Sequence, residues 1–149
     1  MTSEASATDL PREAGVPTTY AISATLDVPF STALSAVRAA LGQQGFGILT
    51  EIDLAATLRS KLDVEIDEQV VLGACNPPLA HRALGVEESI GLLLPCNVVV
   101  RSVGESRTVV EALDPQVMVS VTGSTDLAPV ADEAATRLRA ALKSLGGTL

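Results

Sequence analysis

The stretch Pro95-Cys96-Asn97-Val98-Val99-Val100-Arg101-Ser102-Val103, followed by Gly104-Glu105-Ser106 and then Thr108-Val109-Val110-Glu111-Ala112-Leu113, decides the fold class. Two β-branched runs flank three short turn-forming residues, the pattern of a hairpin. A hairpin makes its two strands antiparallel. Upstream the pattern differs. Tyr20, Ile22, Ala24 and Leu26 alternate with Thr19, Ala21, Ser23 and Thr25, a strand with one buried face. Phe30, Leu34, Val37 and Leu41 then recur at helical spacing, with Asp27 or Ser31 as candidate cap and Gly42 and Gly45 as stops.

A second strand is expected over Phe46–Ile52, with Phe46, Ile48 and Ile52 on one face and Leu49, Glu51 and Asp53 on the other. Asp53 can cap a short helix over Leu54–Leu62. A third strand, Val70–Ala74, runs into Cys75-Asn76-Pro77-Pro78, whose prolines end it and suit a helix's first turn. Leu79–Leu84 reads as that helix, with a further turn or two over Glu87–Leu92. Gln116–Val121 is ambiguous, since Val117, Val119 and Val121 suggest a strand and Met118 does not decide. The last helix spans Leu127–Leu145, with Asp126 as cap and Gly146-Gly147 as stop. The order is β-α-β-α-β-α-β-β-α. Only two helices are long and strongly amphipathic, enough for one face of a five-stranded sheet. The expectation is an α+β, two-layer sandwich with a mixed sheet and helices packed mainly on one face. The other face must then be wet, covered by intervening segments, or buried against a second copy.

At 149 residues the chain is expected to form one domain over 18–149, behind an Ala-, Ser- and Thr-rich tail over 1–17 read as disordered. Its formal charge of −8 argues against nucleic acid and against a polybasic membrane anchor. Two Phe, one Tyr and no Trp leave little for base stacking. The first residues lack a basic and an apolar region, so no secretory signal is read there. No apolar run approaches the roughly 20 residues of a membrane helix. Two cysteines are too few for a disulfide scaffold, and a cytoplasmic protein with reduced thiols is expected.

No phosphate-binding loop, nucleophile elbow or zinc-protease helix is present; Gly45-Phe46-Gly47 reads as a helix stop before a strand. A repeated dipeptide stands out instead. Cys75-Asn76 precedes Pro77, Cys96-Asn97 follows Pro95, and His81, the single histidine, lies between them. Two thiols and an imidazole are ligand types for zinc or copper, and either can hold haem iron. Their spacing matches no standard zinc motif. Free cysteines also commonly just fill a strand, and a lone histidine commonly bonds locally. Glu51 and Asp53, two apart in a strand, form an acid/base or cation-binding pair, or else mark the solvent face and cap the next helix. Asn76 and Asn97 orient a ligand or satisfy backbone groups at strand ends.

Three segments resemble the domain-of-unknown-function 302 family: Gly45 to Asp53, Leu72-Gly73-Ala74-Cys75-Asn76-Pro77-Pro78-Leu79-Ala80-His81-Arg82-Ala83-Leu84, and Ile90 to Val100. The resemblance spans about Thr18 to Leu145. It implies a two-layer sandwich whose members pair as homodimers, and it brings no established activity. The positions carried over are Glu51, Asp53, Cys75, Asn76, Pro77, His81, Cys96 and Asn97. The Ala- and Ser-rich N-terminal extension is the chief departure.

Three functions follow. The first is a homodimer binding a small molecule, metal or haem, with Glu51, Asp53, Cys75, Asn76, His81, Cys96 and Asn97 as ligand-binding residues and Cys75, His81 and Cys96 as metal ligands. The second is a thiol enzyme, with Cys75 or Cys96 as nucleophile and His81 as base. The third is an interaction module whose motif builds turns and a dimer interface.

Overall fold

The computed structural model describes residues 19–149, and the tail expected over 1–17 lies outside them. In chain order the elements are β1 (Ala21–Leu26), α1 (Phe30–Gln43), β2 (Gly47–Asp53), α2 (Leu54–Leu62), β3 (Gln69–Cys75) and α3 (Pro77–Val86). A 3-10 helix over Glu88–Leu93 leads to β4 (Cys96–Gly104), β5 (Arg107–Leu113), α4 (Gln116–Thr122), a 3-10 turn at Thr125–Leu127 and α5 (Ala128–Ser144).

The five strands form one open sheet in the order β1-β5-β4-β3-β2. The α+β class, the five strands and the hairpin stand as expected. The mixed sheet does not, because every pair is antiparallel. A connection through a helix permits a parallel neighbour without compelling one. Here α1 carries the chain from one sheet edge to the other, while the connections through α2 and α3 join strands that already run in opposite directions.

Alternation along the strands aims Ile22, Ala24, Leu26, Val70, Leu72, Val98, Val100, Val110 and Ala112 at one face. There they pack with Val37 and Leu41 of α1 and Leu138 and Leu142 of α5, the main core. A second apolar cluster joins Leu79 and Ala83 of α3, Ile90, Met118 of α4 and the first half of α5. The ambiguous segment after Asp114-Pro115 is helix α4. Asp114 Oδ1 accepts from the Gln116 amide at 3.0 Å, and Pro115 is already in the helical region, which starts the turn.

Three local expectations change. Neither Asp27 nor Ser31 caps α1, since Pro29 occupies the cap position without a side-chain bond; likewise Leu127, not Asp126, caps α5. In β2, a bulge between Ile48 and Thr50 makes Leu49 an extra residue. Glu51 and Asp53 thereby pair with Leu72 and Val70 and share their core-facing side, whereas Ile52 pairs with Val71 on the opposite face. The sequence expectation for these faces is thus inverted downstream of Ile48.

Candidate functional site

The expected site residues fall in four places. Cys75, Asn76 and Cys96 meet where β3 and β4 reach the start of α3. They line a cavity of about 30 Å³ with Phe46, Leu79 and Met118, at the seam of the two apolar clusters. That space holds a water or two, far from the several hundred Å³ of an organic-ligand pocket. Burial, and secondarily the neighbouring Cys75, pushes the Cys96 thiol up from 9.0 to about 11. A thiol so held stays protonated and is a poor nucleophile or metal ligand near neutral pH. Asn76 is buried and caps α3. Its Oδ1 accepts from the Leu79 amide at 3.3 Å, and its Nδ2 donates to the Gln44 carbonyl at 3.4 Å. The same carbonyl accepts from Arg137 Nη1 at 3.3 Å. Arg82 and, secondarily, Arg137 both hold Glu133, and their hydrogen bonds keep its carboxyl below the usual range.

His81 does not join the thiols. Pro77 starts α3 so that Leu79 and Ala83 face inward, and His81, two residues from each, is exposed on the other side. Among the described residues no three His, Cys, Asp or Glu side chains gather to hold a metal ion. The centre expected from Cys75, His81 and Cys96 is therefore not assembled within this chain.

Glu51 and Asp53 sit at the β2 edge, and each has a partner. Glu51 forms an ion pair with Arg38 of α1. Asp53 Oδ1 accepts from the Ala56 amide at 2.9 Å and caps α2 as expected.

Asn97 lies elsewhere again. It alternates with buried Cys96 and Val98, so it belongs to the sheet face turned away from α1 and α5. That face carries a hollow of about 590 Å³, lined by Tyr20, Gln69, Asn97, Val99, Arg101, Glu111 and Leu113, with Ala21 and Ala112. Arg101 of β4 and Glu111 of β5 are diagonal neighbours, joined by Arg101 Nε donating to Glu111 Oε1 at 3.1 Å. Of the residues singled out in the sequence, only Asn97 lines this hollow. The signal for Arg101 and Glu111 lay in the hairpin, where they interrupt runs of valine on the side opposite the buried positions.

The sequence model of a family described as "Domain of unknown function DUF302" matches residues 22–145. Among solved structures, one described as an uncharacterized conserved protein DUF302 from Bacillus stearothermophilus is similar, with a TM-score of 0.77 and 24% sequence identity. The match covers 85% of this chain and 98% of that one, and at this identity it speaks for the fold alone. No curated protein matches. No helix among the described residues is long and apolar enough to cross a membrane.

Proposed function

The chain belongs to the DUF302 family, whose description assigns no activity, and from its own residues we propose that it is a cytoplasmic homodimer binding a small molecule in the hollow on its second sheet face. The observation that carries this reading is the hollow itself. Its size of about 590 Å³ falls in the range of organic-ligand sites. An apolar floor of Val99 and Leu113 lies beside a convergent ion pair, two amides and a phenol, a composition suited to holding and orienting one ligand.

Charge supports a second copy as the cover. The chain carries −8 overall, yet around this hollow Arg101 and Glu111 cancel, so two such faces meet without net repulsion. Val71, Val99, Val109 and Leu113 on the same side are only half-buried and would gain from being covered. The small thiol-lined cavity is the weaker site: it has no room for haem, and its better-buried thiol is harder, not easier, to ionise.

Sedimentation of wild type and Val99→Asp tests the reading. A dimer at micromolar concentration that becomes a folded monomer in the variant supports it. A wild-type monomer throughout, or a dimer indifferent to the substitution, contradicts it.

A further inference from the structure

We infer that the hollow selects small organic acids, with the carboxylate gripped end-on by Arg101 and the apolar body lying on Val99 and Leu113. This inference rests on the hollow being the binding site and adds the class of ligand.

A guanidinium offers five N–H donors along more than one edge. Glu111 takes Arg101 through Nε, at 3.1 Å, and among the described residues Nη1 and Nη2 make no hydrogen bond. Their fork matches a carboxylate bidentately, the strong form of charge-assisted hydrogen bond. The Arg101 side chain is 36% exposed, so part of it remains open to a ligand. Glu111 fixes the guanidinium plane, which lowers the ordering cost of binding. Arg101 is the single cation in the lining, and the Gln69 and Asn97 amides and the Tyr20 hydroxyl add neutral donors around it. Glu111 is the single anion there and is already engaged by Arg101. The amides and the hydroxyl can each donate or accept, so the preference for an anionic head group over an ammonium rests on the donor-only Nη fork of Arg101. Val99 and Leu113 sit beside this polar cluster and offer an alkyl or aryl body a surface to cover.

Tyr20 makes the test simple, because it is the only tyrosine, the chain has no tryptophan, and it lines the hollow. Its fluorescence is titrated with hexanoate, hexanamide and hexylamine in wild type, Arg101→Gln and Val99→Trp, the last followed by thermal shift. Hexanoate is expected to bind wild type, with hexanamide and hexylamine each weaker by about tenfold or more. Arg101→Gln is expected to weaken hexanoate by a similar factor, and Val99→Trp, which fills the hollow, to abolish it. Hexylamine or hexanamide binding as well as hexanoate, with the effect lost in Val99→Trp, overturns the carboxylate assignment and keeps the hollow. Hexanoate binding that neither substitution alters overturns both. Absence of hexanoate binding to wild type overturns the carboxylate assignment.

Discussion

Inside the wall of the small cavity, burial first and the nearby Cys75 second hold the Cys96 thiol up at about 11. An unfolded cysteine ionises near ~8.5. Between those values the unfolded chain has lost a proton that the folded chain keeps, so stability falls as pH rises through that interval. Chemical denaturation is expected to show this decline, and Cys96→Ala to flatten it. Alkylation near neutral pH should label half-buried Cys75 well before buried Cys96; equal rates would contradict the burial assigned to Cys96. Gly45 illustrates a second constraint. Its φ of +86° is a left-handed conformation, and an added Cβ would stand 3.0 Å from Asn76 Nδ2. Gly45→Ala is expected to cost about 1–2 kcal/mol or more, measured by denaturant unfolding. At this scale Asp53 was legible, because a cap is a local bond between neighbours in sequence. His81 was not, because composition does not say which side of α3 faces the core.

The bulge in β2 belongs to the scale of the element. Periodicity assigned Ile48 and Ile52 to one face, and the extra residue at Leu49 reversed everything after it. No rule of alternation contains that information, since an inserted residue is recognised only from the partner strand. Deleting Leu49 would restore a regular strand and leave Glu51 and Asp53 on their present side. Such a deletion is therefore expected to fold, with Asp53 still capping α2. Far-ultraviolet dichroism and thermal unfolding should distinguish it from a deletion of Val99, which would turn the following half of central strand β4 inside out and abolish folding. The helices were more legible: the stripe of α1 named Val37 and Leu41, both in the main core. Leu138→Ala should cost about 2–5 kcal/mol, read from the denaturation midpoint.

For the whole molecule, two amphipathic helices against five strands predicted a sheet with only one well-covered face, and α1 and α5 are the helices that cover it. The pairing of distant strands was beyond reach, because β1 meets β5 and β2 meets β3 through contacts that leave no mark in the intervening sequence. Consequently the hollow, which needs β1, β3, β4 and β5 side by side, was visible only as scattered polar residues in apolar strands. On the proposed reading, this second sheet face is the working surface, covered by another copy. Acrylamide quenching of Tyr20 across a protein dilution series tests it most directly, since this lone fluorophore lines the hollow and is 57% exposed in the single chain. Quenching should be weak at high concentration and rise on dilution in step with dimer dissociation. Strong quenching at every concentration, or a dimer whose Tyr20 stays fully accessible, would contradict it.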